Sequence, residues 1–177
     1  MVNSHYINRY IESPVADDLS RKMVFIGGPR QSGKTTLAKH LCQLAGCDIS
    51  NRYLNWDAAA DREKIIKESF PTGPGFLILD EIHKYSRWRQ IVKGLFDKRG
   101  EELLILVTGS ARLDYYRRGG DSLQGRYHFY RLLPLTYAEV GGDSQLSLIH
   151  ISEPTRQVLV SRMPSSAWKG GGGGGGG

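Results

Sequence analysis

The sequence predicts an α/β fold: a doubly wound parallel sheet of about five strands with helices on both faces. Three observations predict it. Apolar runs alternate with amphipathic stretches along the chain. Two of the runs, residues 76–79 and 103–107, are apolar without a break, as in strands covered on both sides. The first apolar run passes through a glycine-rich turn into a stretch with helical spacing.

Taken in order, residues 23–26 (Met-Val-Phe-Ile) form the first strand, and residues 35–41 carry helical spacing after the turn. Residues 52–55 are a short strand candidate. Residues 57–69 predict a helix with Asp57 as its cap. Pro71, Gly73, Pro74 and Gly75 break the chain before the strand at 76–79. A helix over 88–98 puts Trp88, Ile91, Val92, Leu95 and Phe96 on one side. The strand at 103–107 follows, then a short helix over 111–117, a turn at 118–121 and a last strand over 127–132. Residues 136–140 begin a further helix. Right-handed crossovers are the default connection.

Composition narrows the class. The tail from Leu146 departs from the pattern of the rest. Residues 146–156 and 161–168 resemble the in-frame translation of a transposase-type sequencing adapter, and Gly170 to Gly177 is unbroken glycine. A flexible linker explains the glycines but not the eleven residues before Gln157. The expectation is a protein domain over residues 1–145, cut short at its C-terminus, and a non-native, disordered tail over 146–177. The tail carries a net charge of +2, so the chain's +6 becomes +4 for the remainder. That is too weak to argue for nucleic acid by charge alone. No apolar run is long enough to span a membrane and no secretory signal opens the chain, so no membrane association is expected. Cys42 and Cys47 read as free, partly buried thiols, which suits a cytoplasmic setting.

The chemistry lies at the turns. Gly28, Pro29, Arg30, Gln31, Ser32, Gly33, Lys34 and Thr35, with Thr36 following, fit the pattern of two glycines four residues apart before Lys and a hydroxyl residue. Between a strand and a helix, such a turn aims backbone N–H groups at phosphates. Lys34 then reaches the β- and γ-phosphates and the Thr35 hydroxyl ligates Mg²⁺. The strand at 76–79 runs into Asp80 and Glu81, two acids at the sheet edge where ligands sit. Asp80 is the second Mg²⁺ candidate and Glu81 the base for an attacking water, with helix capping the plainer alternative for both. The strand at 103–107 ends in Thr108, Gly109 and Ser110. Either hydroxyl can contact the γ-phosphate or hold the water, and Ser110 is favoured; capping of the next helix is its alternative role. Arg126, before the last strand, is a candidate to stabilise transition-state charge in cis or from a neighbouring subunit, or else a solvated surface charge. His83 reads as a satisfied histidine near the site, and Trp56 and Trp88 as packing residues.

Those segments resemble the AAA-type ATPases of bacteria and archaea whose ATPase domain precedes a C-terminal domain of unknown function. The resemblance rests on residues 28–36, 79–84 (Leu-Asp-Glu-Ile-His-Lys), 108–113 (Thr-Gly-Ser-Ala-Arg-Leu), 122–126 (Ser-Leu-Gln-Gly-Arg) and 132–136 (Leu-Leu-Pro-Leu-Thr). It covers about residues 7–140. It implies a P-loop NTPase fold with strand order 5-1-4-3-2. It also implies ATP and Mg²⁺ as cofactors, Ser110 as a sensor and Arg126 as a candidate arginine finger; a homo-oligomer or a protein partner stays open, since the sequence gives no oligomeric state. His83 stands where the family often has Gln, and the lid and C-terminal domain have no counterpart in this sequence. The expected activity is Mg²⁺-dependent ATP hydrolysis, because an acid follows the Mg²⁺ ligand. The alternatives are a nucleotide-gated DNA- or protein-binding module with little hydrolysis, and a small-molecule kinase, which lacks an evident acceptor pocket or arginine-rich lid. No residue pattern for reading guanine is visible.

Overall fold

The structure, a computed structural model, describes residues 6–110, Leu113 and residues 123–140. In chain order these form α1 (Glu12–Leu19), β1 (Met23–Gly28), α2 (Lys34–Leu44), α3 (Ile49–Arg52), β2 (Tyr53–Asn55) and α4 (Ala59–Ile66). There follow β3 (Gly75–Asp80), a 3₁₀ turn (Ile82–Lys84), α5 (Trp88–Arg99), β4 (Leu103–Ser110) and β5 (Tyr127–Arg131). The expected helix over 111–117, the turn at 118–121 and the expected disordered tail over 146–177 lie outside the described residues, except for Leu113.

All five strands are parallel, in the order β2-β3-β4-β1-β5, which is the 5-1-4-3-2 order expected. The uninterrupted apolar runs are explained by what each face meets. Alternate side chains of a strand point to opposite faces. Met23, Phe25, Leu77, Leu79, Ile105 and Val107 pack on one side with Ile65 of α4 and Trp88, Ile91, Val92 and Leu95 of α5. Val24, Ile26, Phe76, Ile78 and Leu106 pack on the other with Val15 and Leu19 of α1 and Leu37, Ala38 and Leu41 of α2. Each fully buried aliphatic side chain contributes about 1.5–3 kcal/mol relative to exposure. The pattern therefore specifies two covered faces and leaves no polar one.

The short helices depart from the expectation. α1 was not anticipated, because eight residues give too few turns for a period to show, and Pro14 suggests a break. Pro14 is third in the helix, where its lacking N–H costs nothing. α4 starts at Ala59 and ends at Ile66, inside the expected 57–69, and Ala58 rather than Asp57 occupies the cap position. Asp57 is instead drawn off by Lys84, 2.5 Å away. Residues 136–140 form a single turn, with the Val140 N–H donating to the Thr136 carbonyl at 3.3 Å. Both cysteines are free thiols, as expected; burial first, and then the neighbouring Cys47, push the Cys42 thiol up to about 11. Among the described residues no helix is long and apolar enough to cross a membrane.

Candidate functional site

The glycine-rich turn leaves the carboxyl end of β1, a strand buried along its whole length. Gly28 has to be glycine: a Cβ there would collide with the Leu132 carbonyl oxygen, where the chain leaves β5. Pro29, Arg30, Gln31 and Thr36 line the exposed rim, while Ser32 and Lys34 are buried. The backbone is left-handed at Gln31 (φ 62°) and Gly33 (φ 88°), which turns the chain sharply into α2. Gly33 caps α2 without a side-chain hydrogen bond, and no acid stands in the first turn. The helix therefore presents its first N–H groups and the positive end of its dipole with no competing side-chain acceptor. Lys34 is 7% exposed, and its ammonium donates to the carbonyls of Pro29 (2.6 Å) and Gly28 (3.1 Å) and to Ser32 Oγ (3.4 Å). Burial pulls its pKa below the usual lysine range, against the opposing pull of the Glu81 and Asp80 carboxylates.

The sheet register assembles the second half of the site. Asn55, Asp80, Thr108, Ile26 and Tyr130 form one row across the five strands. Asp80 is 4% exposed and accepts three hydroxyl hydrogen bonds. Thr35 Oγ1 and Tyr53 Oη each donate to its Oδ2 at 2.8 Å, and Thr108 Oγ1 donates to Oδ1. Burial and the bond to Asp80 raise the Tyr53 phenol well above its usual range, so it stays protonated. The Asp80 side chain thus bonds to Thr35 of the glycine-rich turn and caps no helix.

Glu81 follows with φ 56°, a left-handed conformation costing of order 1–3 kcal/mol for a non-glycine residue. It occupies the cap position of the 3₁₀ turn, but its carboxylate makes no capping bond. Its Oε2 lies 3.3 Å from the Lys84 ammonium and 3.9 Å from His83 Nε2. Lys84 is held above the usual lysine range chiefly by its hydrogen bond to Asp57, with Glu81 adding to it. His83 is buried, and its Nε2 is 3.0 Å from Ser110 Oγ. Of the two hydroxyls at the end of β4, Thr108 is therefore the one that touches Asp80. Ser110 lies two residues further along β4, where it meets His83.

Arg126 is placed at the other end of the sheet. Its carbonyl accepts from the Met23 N–H at the start of β1, and its Nε donates to Asp97 Oδ1 at 2.7 Å. The length of β1, roughly 16 Å at 3.3 Å per residue, separates it from the glycine-rich turn of the same chain. Arg126 thus stands beside the start of β1, and the glycine-rich turn leaves the other end of that strand.

A cavity of about 540 Å³ opens beside the loop, lined among others by Tyr6, Ile7, Gln31, Thr36, His40 and Leu135. The Tyr6 and His40 rings stack with centroids 3.6 Å apart, and Glu12 accepts from the Tyr6 hydroxyl at 2.8 Å. Sequence reasoning missed Tyr53, Lys84 and Arg9, which donates to the loop at the Ser32 carbonyl. The one available signal was Arg9 standing as a lone cation between Ile7 and Ile11.

Oxygen donors at Asp80 and Thr35 fit a hard cation such as Mg²⁺. Among the described residues no group of three or more His, Cys, Asp or Glu side chains gathers to hold a metal. A Mg²⁺ site completed by phosphate oxygens needs no such group.

A family model described as "AAA domain" matches residues 20–141. Two curated relatives, "Uncharacterized protein Rv2008c" of Mycobacterium tuberculosis and "Uncharacterized protein Mb2031c" of Mycobacterium bovis, are each 26% identical over 152 residues. The match covers 84% of this chain and 34% of each relative, so the chain spans about a third of their length. Among solved structures, Bacteroides Pif1 bound to ssDNA aligns with a TM-score of 0.49 and 15% identity, over 74% of this chain and 43% of that one. C. elegans PCH-2 aligns with a TM-score of 0.44 and 17% identity, over 71% and 42%.

Proposed function

This chain belongs to the AAA domain family, and on that premise we propose that it binds ATP with Mg²⁺ and hydrolyses the β–γ phosphoanhydride. The observation that carries the reading is the bond from Thr35 Oγ1 to Asp80 Oδ2. It joins the glycine-rich loop to the acid that ends β3, so the phosphate cradle and the cation ligand form one site.

In this reading the triphosphate lies along the turn from Gly28 to Thr35, met by the N–H groups at the start of α2. Lys34 exchanges its carbonyl partners for β- and γ-phosphate oxygens. The base occupies the cavity between the Tyr6–His40 stack and Leu135. Asp80 and Thr35 hold the cation, which neutralises developing charge on the phosphates when bound. Tyr53 and Thr108 fix the Asp80 carboxylate by hydrogen bonds. Glu81, extended past Asp80 by its left-handed backbone, accepts a proton from the attacking water. Ser110, held against His83, contacts the γ-phosphate or the water. The test is direct. Fluorescent ATP should titrate the chain saturably, and phosphate release should require Mg²⁺. Absence of binding at millimolar nucleotide would overturn the reading.

Arg126 serves the site of a neighbouring copy in this proposal, because its own loop is at the far edge. Arg126→Ala should lower turnover without weakening nucleotide binding. Mixing it with Lys34→Ala protein should recover activity, since some interfaces then pair an intact loop with an intact Arg126. No recovery, together with a monomer in sedimentation, would return Arg126 to its ion pair with Asp97.

A further inference from the structure

Arg9 is 7% exposed, and each of its three nitrogens has an acceptor on a different neighbour. Nη1 donates to the Ser32 carbonyl at 2.6 Å, Nη2 to the Leu133 carbonyl at 2.6 Å, and Nε to Glu139 Oε1 at 2.9 Å. The first partner belongs to the phosphate loop. The other two belong to the segment that leaves β5. Glu139 is as buried as Arg9, and its carboxylate also accepts from the N–H groups of Tyr10 (3.1 Å) and Thr136 (2.8 Å) and from Thr136 Oγ1 (3.0 Å). Burying a guanidinium is costly unless it is paired, and here each of its nitrogens donates to one of two segments.

The contact with the loop has a direction. In a trans peptide the C=O and the following N–H point opposite ways. By holding the Ser32 carbonyl on its own side, Arg9 fixes the Gly33 N–H on the other. That N–H is the first of the series leading into α2. The guanidinium also packs against Gly33, where a Cβ would come within 3.0 Å of Nη1. The conformation of the loop and the position of residues 133–139 thus depend on one side chain.

We propose that Arg9 is a positioning residue for the phosphate loop and that, through Glu139, it couples phosphate binding to the segment leaving β5. The proposal rests on the nucleotide reading above. Phosphate on the loop tightens the Ser32–Gly33 peptide, Arg9 follows the carbonyl, and Glu139 follows Arg9. The reverse also holds, since coupling between two sites is reciprocal.

The test uses the 177-residue chain and the fluorescent nucleotide mant-ATP. Arg9→Lys keeps the charge but cannot bridge three acceptors with a planar fork. It should fold and bind mant-ATP at least roughly tenfold more weakly, the scale of a charge-assisted hydrogen bond. Arg9→Met combined with Glu139→Gln removes the buried charges together. It should recover most of the thermal stability lost by Arg9→Met alone while leaving nucleotide affinity low, an outcome that a purely structural role would not produce. In the parent, nucleotide should slow amide exchange across residues 133–140, and in Arg9→Lys it should not. Parental affinity in Arg9→Lys, or no nucleotide effect on exchange at 133–140 in the parent, overturns the coupling and leaves the nucleotide reading standing. A parent that does not bind mant-ATP, with Lys34→Ala indistinguishable from it, overturns both.

Discussion

Glu81→Gln is expected to slow ATP turnover by about 10²- to 10⁴-fold, the range for loss of a general base. Nucleotide affinity should stay close to the parent's. The expectation comes from the division of labour along two adjacent acids. Asp80 is tied by three hydroxyls and has no freedom to move toward a water. Glu81 is turned outward by its positive φ, and its carboxylate has only side-chain neighbours that leave it partly exposed. Gln preserves shape and hydrogen-bonding reach while removing the basic oxygen, so binding and chemistry separate. Single-turnover phosphate release, measured beside equilibrium titration, checks it. A variant that hydrolyses ATP at the parent's rate would show that some other group accepts the proton, the His83 imidazole lying 3.9 Å from Glu81.

Lys34→Ala is expected to weaken ATP binding by roughly 10- to 100-fold, because a charged hydrogen bond is worth about 1.5–3 kcal/mol. Turnover should fall with it. Lys34 lies under the loop, with its ammonium among the carbonyls of Gly28 and Pro29 and the hydroxyl of Ser32. Truncation therefore removes both the cation and the internal tie that shapes the turn. A fluorescent-nucleotide titration separates the two effects if the melting temperature is followed alongside: similar melting with weak binding assigns the loss to the charge. Unchanged affinity would sink the assignment of the loop to phosphate.

The part of the candidate site built on β1 and β3 was legible in the sequence because it is local. Strand, glycines, Lys34 and Thr35 are contiguous, as are Leu79, Asp80 and Glu81, and burial on both sheet faces leaves uninterrupted runs that point to the acids at their ends. What could not be read depends on register between strands. Thr108, not Ser110, reaches Asp80 because β3 and β4 pair Asp80 with Thr108. Nothing within either segment encodes that offset. Tyr53 joins the same carboxylate from β2, a strand of three residues whose sequence has no special feature. The place of Arg126 at the start of β1 was not legible for a similar reason. Proximity to a motif in sequence says nothing about which end of a parallel strand a residue occupies. Arg9 and Glu139 are 130 positions apart and meet only because α1 and the exit from β5 cover the same side of the loop.

Lys34 never has to wait for a partner. Two peptide oxygens and a hydroxyl of its own loop already satisfy it. If the loop holds nucleotide as proposed, entry of a phosphate would be an exchange, in which an anion replaces the dipoles that hold the ammonium. Dipoles carry partial charges and phosphates carry whole ones, so the balance of that exchange shifts with the valence of the incoming group. In the proposed reading, a polyphosphate would therefore gain more from that exchange than a singly charged anion.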